Sequence, residues 1–329
     1  GIVAALTRLL VNADATAFGR AVEIAAWYGN CNCVTKLMST TTQMGIEIAL
    51  HAPQALVAVA SGDSKRRQNV EFEEGERCEI AKVLLKHGAE VNKPDSNQRT
   101  ALQHAARRGR SKLVQVLLGG KADVHSAMQF GNTSLHEAAN SEVVQFLCAA
   151  GININKPDSN GAAPLDMNAF AGRLETVQAL IECRADVNQT RPNGITALYM
   201  AAQQGHAAVV HVLLAAKAPV NQRRQDTTHS PLAMACERGH PEVVGMLVDA
   251  KANVNDVWHR RSAVTFAMQF RRHEVVEVIW TRTGMRKAGV PTPRERAQQL
   301  AAQRRRQQAK FAQHRRQQAK FKERKGNKK

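Results

Sequence analysis

Thr196-Ala-Leu-Tyr-Met-Ala-Ala202 decides the fold, because close copies of it recur along the chain. They read Thr100-Ala-Leu-Gln-His-Ala-Ala106, Thr133-Ser-Leu-His-Glu-Ala-Ala139 and His229-Ser-Pro-Leu-Ala-Met-Ala235. With the aliphatic residue as marker, the series runs Val22, Leu56, Leu102, Leu135, Leu165, Leu198, Leu232 and Val264. Successive spacings are 34, 46, 33, 30, 33, 34 and 32 residues. A steady period in this range marks a repeat array, in which each unit is too small to bury its own apolar face and uses a neighbour as the other wall.

Each unit continues with a second pattern, as in Val209-Val210-His-Val212-Leu213-Leu214, Val243-Val244-Gly-Met246-Leu247 and Val275-Val276-Glu-Val278-Ile279. Apolar residues at i, i+1, i+3 and i+4 give one buried stripe on a short helix. A fixed exit follows: Gly88-Ala-Glu-Val-Asn92, Arg184-Ala-Asp-Val-Asn188 and Lys251-Ala-Asn-Val-Asn255. Turn formers then link the units, as in Asn155-Lys-Pro-Asp-Ser-Asn-Gly161 and Arg191-Pro-Asn-Gly194. Here the chain resembles the ankyrin-repeat family, whose unit is a turn, T-P-L-H-x-A-A, a short loop, a second helix and G-A-D-V-N. The resemblance covers roughly residues 1 to 285, as about eight units plus a partial one at the start. It implies an all-α, ankyrin-repeat solenoid of helix-turn-helix units with β-turn fingers, and a surface that binds other proteins. It also places His104 and His136 at the T-P-L-H histidine, whose role is hydrogen bonding between neighbouring turns.

Three departures stand out. The glycine after the second helix is kept at Gly88 and Gly151 but is Lys121, Arg184, Lys217 and Lys251 elsewhere; these read as tolerated substitutions. The unit around Ser134 lacks three residues between its helices, which is expected to remove a surface turn. The spacing of 46 places an insertion near residues 63–75, between the two helices of one unit, with a surface loop as its default reading. Ile2 to Leu10 read as the second helix of an earlier unit, so the chain opens in mid-repeat without a Met and something upstream is expected.

The net charge of +18 is unevenly placed. Gly1 to Thr281 hold 29 Lys and Arg against 26 Asp and Glu, whereas Arg282 to Lys329 hold 17 against 2. A nearly neutral body thus carries a strongly cationic segment, which implies an anionic partner. Residues 286–329 are expected to form a basic, Arg/Lys/Gln-rich helix or extension. Thr292-Pro293-Arg294-Glu295 has the cap, first-turn proline and capping-box glutamate of a helix start. Ala301 to Phe311 is nearly repeated as Phe311 to Phe321. At about 100° per residue, a ten-residue period leaves the two phenylalanines roughly 80° apart, so no tight apolar seam forms. Laid on phosphate, these residues release counterions. The reading that follows is RNA bound by phosphate and shape, ahead of DNA, through Arg304, Arg305, Arg306, Lys310, Arg315, Arg316, Lys320, Lys322, Arg324 and Lys325. Phe311 and Phe321 are the candidate stacking residues. Arg223, Arg224, Arg260, Arg261, Arg271 and Arg272, in fingers and an inter-helix turn, are candidates for a secondary basic surface. A nuclear-targeting signal, a solvated appendage and a membrane-surface segment compete with the RNA reading, the last weakened by the lack of an apolar face.

Catalytic chemistry is not visible. There is no Walker A loop, G-x-G-x-x-G after a strand, H-E-x-x-H or nucleophile elbow, so no enzyme, cofactor or small-molecule substrate is expected. The six cysteines match no disulfide or zinc framework, and the one close pair, Cys31 and Cys33, has no further Cys or His nearby in sequence. No stretch approaches the roughly 20 apolar residues of a membrane span, and no basic n-region with an apolar stretch opens the chain. The expectation is a soluble scaffold in a reducing intracellular compartment, a structural subunit of a ribosome or other ribonucleoprotein, with a mitochondrial location compatible. The alternative is a free adaptor whose concave face binds a client peptide and whose basic segment targets the nucleus.

Overall fold

The computed structural model describes residues 15–44, 54–62, 74–255, 257–258 and 261–284. Short helices come in pairs. They are α1 (Ala15–Trp27) with α2 (Cys31–Met44), α3 (Ala55–Ser61) with α4 (Glu74–Lys86), and α5 (Ala101–Arg107) with α6 (Ser111–Gly119). A lone helix α7 (Ser141–Ala149) follows. Then come α8 (Pro164–Phe170) with α9 (Leu174–Glu182), α10 (Ala197–Gln204) with α11 (Ala207–Ala215), and α12 (Pro231–Arg238) with α13 (Pro241–Asp249). A two-residue hairpin, β1 (Val257–Trp258) against β2 (Arg261–Ser262), forms a finger before α14 (Ala263–Gln269) and α15 (His273–Thr283).

Two layers result. Inner helices α8, α10, α12 and α14 pack in succession, and outer helices α2, α4, α6, α7, α9, α11, α13 and α15 do the same. The marker residues of the period are buried in the inner layer from Val22 to Leu232, and Val264 is half-buried. In the outer layer the stripe closes on i, i+1 and i+4: Val209, Val210 and Leu213, then Val243, Val244 and Leu247, then Val275, Val276 and Ile279. The i+3 residues Val212, Met246 and Val278 are only half-buried. One continuous apolar cluster runs from Phe18 to Ile279. Full burial of each Leu or Val is worth about 1.5–3 kcal/mol, so stacking drives the fold.

Lys121, Arg184, Lys217 and Lys251 sit just past the outer helices at φ of 64°, 67°, 65° and 65°, the left-handed cap that Gly88 and Gly151 adopt at 83°. A side chain there costs about 1 kcal/mol relative to glycine. A cation near a helix C-terminus regains about 0.3–1 kcal/mol through the macrodipole.

The unit around Ser134 departs from expectation. The missing three residues remove the inner helix itself, not a surface turn. Residues 134–136 form turns and 137 a bend, with the His136 and Ala138 N–H groups donating to Thr133 and Leu135 carbonyls at 3.1 and 3.4 Å. Asn140, which follows directly, must already cap α7, accepting the Val143 N–H at 2.9 Å. Too few residues remain to close a helical turn before that cap. The proposed insertion spans residues bracketed by α3 and α4; residues 63–73, like Ile2 to Leu10 and the chain beyond Gly284, lie outside the described residues.

Candidate protein-docking face and basic surfaces

Three ladders of polar contacts fix one unit against the next. The first starts three residues after each helix-opening Thr or its equivalent. Gln103 accepts the Thr100 N–H at 2.8 Å and donates to the Ser126 carbonyl at 2.9 Å. His136 Nδ1 accepts the Thr133 N–H at 3.0 Å, and Nε2 donates to the Ala162 carbonyl at 3.0 Å. Asp166 accepts the Ala163 N–H at 3.1 Å and the Arg191 Nε–H at 3.2 Å. The Tyr199 phenol hydrogen-bonds Arg224 of the following finger. His104 therefore does not hold the T-P-L-H position. Gln103 does, and His104 instead binds Asp95 of its own finger at 2.8 Å, because it lies one residue further round the helix.

The second ladder runs along the inter-helix turns. Asn140 donates to the Gly109 carbonyl at 2.8 Å and Arg173 to Ala138 at 3.1 Å. His206, His240 and Arg272 reach Phe170, Gln203 and Glu237 at 3.0, 3.2 and 3.2 Å. The third ladder follows the outer helices: Asn92, Asn155 and Asn221 accept the N–H groups of Asp123, Asp186 and Asn253 at 2.7, 2.9 and 2.9 Å. Fingers also join directly, Ser159 N–H to the Phe130 carbonyl at 2.9 Å and Gln225 N–H to Asn193 at 2.8 Å.

Burial sets the electrostatics of the first ladder. Desolvation pushes the Asp166 carboxyl up to about 6 against the opposing pull of Arg191, and it lowers the His136 imidazole below its ordinary value. The Arg224 ion pair holds the exposed Asp226 carboxyl below the usual carboxylate range.

Aromatic side chains stand exposed on this framework. Phe130 on a finger is 60% exposed, and Phe170 and Phe270, at the ends of inner helices α8 and α14, are 41% exposed. They stand singly, as exposed apolar side chains commonly do on a folded surface.

The candidate basic surface is divided. Arg223 is exposed on a finger, whereas Arg224 is half-buried and engaged by Asp226 at 2.6 Å and by Tyr199. Arg271, at φ 56°, and Arg272 are exposed at the opposite end of the inner helices, and the Arg272 side chain packs over Gly239. These two pairs thus do not form one patch. Arg260, the side chain of Arg261, and Arg304, Arg305, Arg306, Lys310, Phe311, Arg315, Arg316, Lys320, Phe321, Lys322, Arg324 and Lys325 lie outside the described residues.

Stacking also creates a thiol pair that cysteine spacing did not reveal. Cys148 of α7 hydrogen-bonds Cys183, which caps α9, and burial plus this neighbour push the Cys148 thiol up to about 12. Cys31 lies 3.9 Å from the Thr35 hydroxyl, and Asn30 accepts the Cys33 N–H at 3.0 Å. Among the described residues no cluster of three His, Cys, Asp or Glu is placed to hold a metal ion, and no helix is long and apolar enough to cross a membrane.

Comparison with known proteins agrees with this architecture. The family described as "Ankyrin repeats (3 copies)" matches residues 71–158, 165–257 and 198–286. The mouse RelA-associated inhibitor is 36% identical over 98 residues, 28% of this chain and 12% of that protein. Zebrafish Inversin is 48% identical over 48 residues, 15% and 5% of the two chains. The Caenorhabditis elegans homolog of transient receptor potential cation channel subfamily A member 1 is 34% identical over 89 residues, 26% and 7% of the two chains. These matches span small parts of much longer proteins. Ankyrin repeats are in general a non-enzymatic module for protein–protein interaction, and with the matched segments covering more than half of its length, this chain belongs to the ankyrin-repeat family.

Proposed function

We propose that the chain is a scaffold in which an ankyrin stack of about eight units, roughly residues 1–285, holds neighbouring proteins while residues 286–329 anchor it on RNA. The reading makes it a structural subunit of a ribosome or other ribonucleoprotein. One observation carries it: the segment from Arg282 holds 17 Lys and Arg against 2 acids, on a body that is close to neutral. Such a segment cannot fold on itself without like-charge repulsion, and phosphate both neutralises it and releases counterions. Arg304–Arg306, Lys310, Arg315, Arg316, Lys320, Lys322, Arg324 and Lys325 supply the phosphate contacts, and Phe311 and Phe321 stack on unpaired bases.

Gradient sedimentation of lysate, at low and high salt and with and without ribonuclease, tests this. Migration in a large particle that ribonuclease or salt releases, and that needs residues 286–329, supports it. A small species indifferent to ribonuclease overturns it in favour of a free adaptor whose basic segment serves nuclear targeting.

A further inference from the structure

The four left-handed cations raise a question that helix capping alone does not answer. At Gly88 and Gly151 an added Cβ would meet nothing within 4 Å, so the position is open and only backbone strain discriminates between side chains. Glycine is the unstrained choice, yet Lys121, Arg184, Lys217 and Lys251 stand there, each exposed. The dipole does not require it. Helix α4 carries Lys86 within its last turn and Gly88 at the cap, gaining the charge without the strain. Helices α6, α9, α11 and α13 have no basic residue in the last turn and place the cation at the strained position instead.

These cations share one edge of the stack. Two residues beyond Lys121, Arg184 and Lys251, the ladder of Asn92, Asn155 and Asn221 locks each loop to the one before. Gly284, just past α15, is likewise left-handed at φ 66°. Charge also rises toward that end: Lys121 and Arg184 precede Asp123 and Asp186, but Lys217 and Lys251 precede Pro219 and Asn253. Residues 1–189 hold 19 basic and 19 acidic residues, whereas residues 190–281 hold 10 against 7. No ion pair engages any of the four among the described residues.

We propose that Lys121, Arg184, Lys217 and Lys251 form a phosphate-binding edge on the repeat body, strongest at Lys217 and Lys251, which adds its contacts to the RNA that the basic segment binds. The inference rests on the RNA reading above. Exposed cations on successive units from Arg184 to Lys251, with Lys121 set apart by the glycine cap at Gly151, suit contact with phosphates and read no bases.

Binding of the full chain to a structured RNA of mixed stems and loops, followed by fluorescence anisotropy across a KCl series, tests it. Two double variants are compared with the natural chain and with a truncation after Gly284. K217G/K251G relieves the strain, so its melting temperature should not fall. K217Q/K251Q keeps the strained backbone, a conformation Gln98 already holds at φ 59°. Both doubles should lower the slope of log Kd against log salt by about 1.5, at roughly 0.7–0.9 per phosphate contact. An unchanged slope in both doubles, with the full chain bound and the truncation released, overturns the edge and leaves the anchoring segment standing. Failure of the full chain to bind RNA overturns the anchoring reading itself. Displacement of the RNA by phosphatidylserine vesicles through Lys217 and Lys251 assigns the edge to a membrane surface and also overturns the proposal.

Discussion

His136 Nε2 lies 3.0 Å from the Ala162 carbonyl oxygen, and the same ring accepts the Thr133 N–H through Nδ1. One neutral imidazole thus joins the start of its own unit to the finger of the next. Protonation removes the Nδ1 acceptor, and burial lowers the pKa below its ordinary 6.5. With the folded value depressed, this contribution to stability is complete above about pH 6.5 and is lost as pH falls. His136→Gln should keep both bonds, as Gln103 does one unit earlier, and remove that acid sensitivity. His136→Ala should lose about 1–3 kcal/mol at neutral pH. Urea unfolding at pH 5.5 and 7.5 checks both; equal pH dependence in the Gln variant and the natural protein refutes the assignment.

Asp166 has the opposite sign. Burial raises its pKa from 3.8 to about 6 despite the Arg191 partner. Between these values the folded state binds more protons than the unfolded one, so stability falls as pH rises through that window. Asp166→Asn should flatten this slope. Denaturation midpoints at pH 4.5 and 6.5 measure it, and an unchanged slope would place the titration elsewhere.

Two glycines with left-handed backbones should respond differently to alanine. At Gly88 the Cβ meets open space, so strain alone applies and the loss is about 1 kcal/mol. At Gly194 the Cβ would stand 2.5 Å from the Arg223 carbonyl oxygen, where two fingers join. Overpacking adds about 1–3 kcal/mol there. Thermal unfolding of the two variants should separate them, and equal losses would show that the fingers yield freely.

Thiol reactivity follows from burial. Cys148 is pushed up to about 12 by burial and Cys183, and Cys236 reaches about 12 by burial alone. The thiolate is therefore scarce in both at pH 8, so iodoacetamide should modify them far more slowly in the folded chain than after denaturation. Peptide mass spectrometry of a timed labelling series reads this. Rapid native labelling of Cys236 would contradict its complete burial on α12.

The period of about 33 residues was legible because it is written in local residues: one aliphatic marker, one paired-valine stripe and one cap per unit. The same spacing exposed the site of the insertion and the short unit, but not the outcome of the deletion at Ala139. Whether three missing residues remove a loop or a helix depends on where Asn140 must sit to cap α7 and reach Gly109. The shift of His104 off the inter-unit position also escaped the pattern, since Gln103 and His104 are adjacent and only helix geometry separates their directions.

Sequence by itself determined the repeat, its register, the apolar stripes and the division between a neutral body and a cationic segment, because each is a local or compositional property. Only the tertiary structure decided which polar groups meet. Asp166 and Arg191, Tyr199 and Arg224, and Cys148 and Cys183 lie 25, 25 and 35 residues apart in the chain, and only stacking brings them together. Stacking likewise set Arg184, Lys217 and Lys251 on successive units, since residues one period apart become neighbours only when each unit uses the next as the wall of its core.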